Sequence, residues 1–245
     1  MESCLPPVRR APGKPPRLYA AVDLIRTGRE KILTVEDPIE YQLGVPQVPV
    51  NEKIGVTFAT ALRALLRQDP DVMLVGEIRD AETAEIATQA ALTGHLVLST
   101  LHTNDAPSAL TRLLELGVAP YLVASTVRAV LAQRLVRMIC GSCKTGAESA
   151  PSELDGLLGG AGIGVAYRGV GCPECRGTGY RGRVGLYEVL TMTDDLRRAV
   201  AERCDSSELR RMMIANGSPT LHADGLRLVA AGVTTPDEVL RVVAA

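Results

Sequence analysis

Leu66-Arg67-Gln68-Asp69-Pro70-Asp71-Val72-Met73-Leu74-Val75-Gly76-Glu77-Ile78-Arg79-Asp80 is the stretch on which the reading of this chain turns. Val72 to Val75 is a short apolar run closed by Pro70 and Gly76. Such a run suits a strand buried on both faces inside a parallel sheet. Glu77 then stands just past the strand's carboxyl end, where open α/β sheets bind ligands. A core strand followed by a charged turn is the other reading, and the stretch alone does not separate the two.

The neighbouring segments repeat the arrangement. Ile32 to Val35 is a β-branched-rich run followed by Glu36-Asp37-Pro38-Ile39-Glu40, acids gathered at a strand end. A solvated acidic turn would look the same, since a catalytic acid needs a partner site to matter. Leu96 to Thr100 is a third buried-looking strand, with His95 before it and His102 after it. Between these runs lie helical patterns. One spans Leu18–Arg26. A second runs from an N-cap at Thr57 through Arg67, with Arg63 and Arg67 four apart on one side. A third is capped by Asp80 and ended by Thr93-Gly94. Further helices are expected near Ala106–Leu116 and Tyr121–Arg137. Strands alternating with helices predict a mostly parallel α/β sheet. Tyr41 to Glu52 carries Pro46 and Pro49 and is excluded from a central strand position.

Beyond the sheet, Cys140-Gly-Ser-Cys143 and Cys172-Pro-Glu-Cys175 form two C-x-x-C pairs separated by residues 144–171. Four thiolates from two tight turns suit a tetrahedral Zn²⁺, with two redox dithiols or unliganded thiols as the alternatives. The tail shows N-caps at Thr193, Asp205 and Thr235, the last a capping box with Pro236 and Glu238, and predicts a small helical bundle. Composition narrows the classes. The core must be aliphatic, because the chain has one Phe, six Tyr and no Trp. A formal net charge of −1 and so few aromatics supply neither a basic face nor a stacking platform for nucleic acid. No apolar run spans a bilayer, and prolines interrupt the N-terminus where a signal peptide would need an apolar core, so a cytosolic protein is expected.

These motifs, in this order, resemble the secretion ATPase family of type II secretion "E" proteins and type IV pilus assembly and retraction motors. Leu66 to Asp80 resembles its Walker B signature. Val35 to Glu40 is similar to its Asp box, Thr93 to Thr103 to its His box, and the cysteine pairs to the zinc site of assembly-type members. The resemblance implies a RecA-like P-loop NTPase core at residues 18–138, a Cys4 zinc module at 139–183 and a C-terminal helical region at 184–245, after a disordered leader at 1–17. It implies a ring-shaped hexamer that hydrolyses ATP with Mg²⁺ on the cytoplasmic side of the inner membrane, docked on a platform or linker protein. Carried over, Glu36 orients or deprotonates the attacking water, Glu77 holds Mg²⁺, and His102 contacts the γ-phosphate. Arg63, Arg67 and Arg79 are candidates for charge stabilisation, within a subunit or across a subunit boundary, with Asp37 and His95 as further nucleotide-side residues. The zinc ligands are Cys140, Cys143, Cys172 and Cys175.

One element departs from the family pattern. The P-loop, G-x-x-x-x-G-K-[S/T], belongs at Val8 to Pro15, where only Gly13 and Lys14 fall in register. Val8 replaces the first glycine, Pro15 replaces the metal-ligating hydroxyl, and Pro12, Pro15 and Pro16 remove N–H donors from a cradle built of them. The core is therefore expected to be incomplete, lacking its first strand and an intact P-loop, as in a truncated or mis-started copy. Weak or absent ATPase in the chain alone is expected, with a non-catalytic interaction subunit of intact motors as the alternative.

Overall fold

Four short parallel strands carry the first half of the molecule. The computed structural model describes residues 16–147 and 166–243. The P-loop register with Gly13 and Lys14, and the Gly-rich stretch 156–164, lie outside the described residues. The chain divides into two compact units, one of residues up to 102 plus 115–126, the other of 103–114 plus 127–245.

In the first unit, α1 (Pro16–Ile25) precedes β1 (Ile32–Glu36), β2 (Gln47–Pro49), α2 (Phe58–Leu66), β3 (Val72–Val75), α3 (Ala81–Leu92) and β4 (Leu96–Ser99). The sheet order is β2-β1-β3-β4 and every pairing is parallel. All residues of β1 and β3 are buried; β3 is apolar throughout, and β1 carries Thr34 and Glu36 among its apolar residues. β2 carries Pro49 at the sheet edge, where a missing N–H costs no ladder bond. Thr57 caps α2 in a reciprocal box with Thr60, and Asp80 caps α3 through the Thr83 amide at 2.7 Å. Gly94 closes α3 at φ 109°, a conformation that disfavours residues with a Cβ.

The second unit is built on a long antiparallel ribbon. α4 (Ala106–Glu115) belongs to it, whereas α5 (Pro120–Thr126) returns to the first unit. β5 (Ala129–Ile139) pairs with β8 (Tyr180–Thr191), and β6 (Lys144–Ala147) pairs with β7 (Ala166–Gly169). The helices α6 (Asp194–Ala201), α7 (Ser206–Ala215), α8 (Leu221–Ala230) and α9 (Pro236–Val243) follow. Val136 and Leu186 of the ribbon pack with Leu221, Leu228, Val229 and Val239 of α8 and α9. Gly225 lets those helices meet closely, since a Cβ there would stand 2.4 Å from Val239 Cγ1.

One sequence expectation is corrected here. The helix expected over Tyr121–Arg137 stops at Thr126, and the remainder is strand β5. Its Ala, Leu, Arg and Met content favours helix locally, but pairing with β8 overrides propensity. The C-terminal region opens on strand, 184–191 completing β8, and α8 and α9 pack on that ribbon. α1 starts at Pro16, where proline fits a first helical turn.

Candidate functional site

Parallel pairing brings the carboxyl ends of β1, β3 and β4 side by side. Past those ends the backbone stays locked. The Gly76 amide donates to Val35 O at 2.8 Å, the Ile78 amide to Thr100 O at 2.9 Å, and Thr100 Oγ1 to Gly76 O at 2.7 Å. Glu77 is 4% exposed. Its Oε2 accepts from Arg79 Nε at 2.6 Å and lies 3.1 Å from His102 Nε2. The His102 and Arg79 side chains are mostly exposed, at 83% and 58%. A buried carboxylate thus faces two basic groups at the surface. Glu77 holds the Arg79 guanidinium above its ordinary range, with Asp37 and Glu52 adding to the same field.

Glu36, at the end of the adjacent strand, is fully buried. Its Oε1 accepts from Thr34 Oγ1 at 2.7 Å and Gln47 Nε2 at 2.9 Å, and its Oε2 accepts from the Tyr19 hydroxyl. Burial and the neighbouring Glu36 push the Tyr19 phenol well above its ordinary range.

Three predicted residues lie away from this group. His95 sits at the opposite, amino end of β4, where Nδ1 lies 2.7 Å from Pro70 O just before β3. It ties two strand starts together within the chain and does not face Glu77. Arg67 is the C-cap of α2 on the same far side, because that helix feeds the start of β3. Arg63 pairs with Glu82 at 2.7 Å on exposed helix surfaces. Tyr19, Thr34 and Gln47 are site residues that the sequence reading did not name. Thr34 was the findable one, two residues before Glu36 and so on the same strand face.

The second site lies where β5 and β8 meet the two cysteine turns. Cys140, Cys143, Cys172 and Cys175 place all four Sγ atoms within 4.8 Å of one another. Three Sγ···Sγ separations are 3.7–3.8 Å. Tetrahedral Zn–S bonds of ~2.3 Å require sulfurs ~3.8 Å apart, so this donor set fits a zinc-like ion. The Cys172 and Gly179 amides both donate to Cys175 Sγ at 3.2 Å. Burial and neighbouring sulfurs push the Cys143 thiol up to about 12, while those amide donors bring Cys175 down to about 6 despite burial. The turns approach closely because Gly169 and Gly179 lack side chains. A Cβ on Gly169 would stand 2.1 Å from Gly179 O.

The fold is an α/β architecture whose parallel sheet gathers carboxylates past its strand ends. The structure is similar to the pilus retraction motor PilT solved with bound ADP, with a TM-score of 0.67, 28% identity, and coverage of 92% of this chain and 56% of that one. It also shares its fold with the Legionella pneumophila ATPase DotB, with a TM-score of 0.63, 24% identity, and coverage of 91% of this chain and 55% of that one. The chain belongs to the type II/IV secretion system protein family, whose model matches residues 11–241. It is 50% identical to the type II secretion system protein HxcR of Pseudomonas aeruginosa over 231 residues, 94% of this chain and 46% of that relative. It is 47% identical to the type IV pilus assembly ATPase PilB of Thermus thermophilus over 232 residues, 93% of this chain and 26% of that protein. The chain therefore spans about half, or less, of these relatives' lengths. Among the described residues no helix is long and apolar enough to cross a membrane.

Proposed function

We propose that this chain is the magnesium-side and zinc-bearing portion of a type II secretion or type IV pilus assembly ATPase, with a degenerate phosphate cradle. The observation that carries the reading is the convergence of Glu77, Arg79 and His102 past adjacent parallel strands in a chain of this family. A carboxylate oxygen suits a hard divalent cation, so Glu77 would hold Mg²⁺, whose charge offsets that developing in phosphoryl transfer. Glu36 would orient the attacking water. His102 and Arg79 would supply positive charge toward the γ-phosphate, and Asp37 would extend the acidic side of the site. Arg63 and Arg67 point to a role only across a subunit boundary. The four cysteines hold Zn²⁺ as a structural ion.

In this reading Gly13 and Lys14 are the remains of the ATP cradle. Pro12, Pro15 and Pro16 deny it three N–H donors, so ATP binds weakly and the chain alone turns over little. Function then comes from membership of a homo- or hetero-hexamer with motor subunits, on the cytoplasmic face of the inner membrane and against a platform or linker protein. The same prolines favour a second reading, a non-catalytic subunit that modulates intact motors.

ATP hydrolysis tests both. The unmodified chain is expected to match its Glu77→Gln variant, and a rate ~10-fold or more above that variant refutes the impairment. Mixed with an intact family motor, the chain is expected to co-elute at ring size and to change the motor's rate per subunit. Failure to co-elute removes the motor assignment.

A further inference from the structure

We propose that Tyr19 is a positioning residue for Glu36, a phenolic cover that fixes this carboxylate and closes it to water until α1 moves. The inference rests on reading Glu36 as the water-orienting acid, and it concerns how access to that acid is controlled.

The two strand-end carboxylates are treated differently. Glu77 contacts two largely exposed basic side chains. Glu36 has no such outlet, being 0% exposed with three donors on its two oxygens. Two of those donors belong to the sheet. Thr34 is part of β1 itself, and Gln47 opens β2. Gln47 is fixed further, since its Oε1 accepts from the Leu43 amide at 2.8 Å and its Nε2 also donates to Tyr41 O at 2.9 Å. Removing either donor from Glu36 means disturbing a strand pairing or this loop.

Tyr19 is the exception, because it comes from a helix. It is 6% exposed, and its ring meets Tyr41 edge-on at 5.3 Å between centroids. α1 rests on the sheet through Tyr19 and Val22, with Leu18 and Ile25 beside them, while Leu24 on its outer side is 86% exposed. A small displacement of this one amphipathic helix withdraws the phenol without breaking a ladder bond. Glu36 Oε2 then exchanges the phenol for water, and the same atom becomes available to orient a reactant. With the phenol in place, the geometry required of a general base, a reactant water within hydrogen-bond reach, is closed on this oxygen.

Carboxylate footprinting reads this directly. The full chain is treated with a water-soluble carbodiimide and glycine ethyl ester, and the modification of each acid is followed by peptide mass spectrometry. Glu36 is expected to react at least ~10-fold more slowly than the exposed Glu82, because reaction requires a local opening. Tyr19→Phe removes the hydroxyl and keeps the ring. It is expected to speed Glu36 modification ~10-fold, the scale of a lost hydrogen bond to a charged group. Amide exchange of residues 32–35 and 72–75 stays unchanged. Gln47→Leu, which leaves the phenol in place, gives a smaller increase. The proposal is overturned if Glu36 reacts as fast as Glu82 in the unmodified chain, or if Tyr19→Phe leaves its rate unchanged. It is equally overturned if strand amide exchange accelerates in parallel, or if Gln47→Leu matches Tyr19→Phe. None of these outcomes bears on ATP turnover, so the proposed function stands or falls separately.

Discussion

Acid should dismantle the contact that fastens α9 to the ribbon, and Glu238 sets where. This residue is 2% exposed. Its carboxylate accepts from the Arg137 amide at 3.0 Å and the Arg137 guanidinium at 2.5 Å, and from Arg241 at 3.0 and 3.1 Å. The Arg137 guanidinium leads in holding the carboxyl down at about 2, against an ordinary 4.5. Because the folded value lies below the unfolded one, the stabilisation is fully present above pH ~4.5 and is lost as pH falls through ~2. The full difference corresponds to ~3 kcal/mol, and solvent screening of the half-exposed arginines lowers it to ~2–3 kcal/mol. Glu238→Gln should therefore reduce amide-exchange protection in residues 129–139 and 236–243 by about a hundredfold at pH 7. Near pH 3 the gap between wild type and variant should shrink to about tenfold or less. A gap that is constant from pH 7 to pH 3, or below ~3-fold at pH 7, would refute the assignment of this ion pair as the fastening.

Other outcomes follow from the same geometry. Cys172→Ser should abolish stoichiometric zinc by elemental analysis and speed amide exchange across the cysteine turns, whereas a structure held without metal would exchange as before. Gly169→Ala should be worse tolerated than its size suggests, losing ~2–4 kcal/mol of local stability, because its Cβ would meet backbone, with Gly182→Ala showing no comparable loss of cysteine-turn protection. His95→Ala should cost ~1 kcal/mol in thermal or urea unfolding through its lost contact with Pro70, yet leave Glu77 footprinting unchanged.

The parallel sheet was legible because β1 and β3 are buried on both faces, which favours short runs rich in apolar and β-branched residues, here alternating with helical patterns. Strand-end placement of Glu36, Glu77 and His102 was legible for the same reason, since register follows once the strands are found. Caps at Thr57, Asp80, Thr193 and Asp205 read directly, because each bond spans only a few residues. What failed were features fixed across long separations. β5 reads as helix until its partner, some fifty residues on, supplies the other half of the ladder. Tyr19 is silent in sequence, being tied to Glu36 from a different element. The contact of His95 with Pro70 O is equally silent, since it joins residues twenty-five apart in the chain.

The passage of α4 has a practical consequence for dissecting the molecule. Its backbone enters the second unit at residue 103 and leaves after 114, so the border between units is crossed three times. The Ala106 amide at its start donates to Glu188 Oε1 at 2.7 Å, while the Leu221 amide occupies Oε2 at 3.1 Å. Glu188 is thus a rivet through two helix starts and the ribbon. A protein trimmed to residues 127–245 would keep the ribbon, the cysteines and α6–α9 yet leave half of that rivet empty in a dry interior. Dividing this chain cleanly calls for a circular rearrangement or a grafted α4 rather than a single cut.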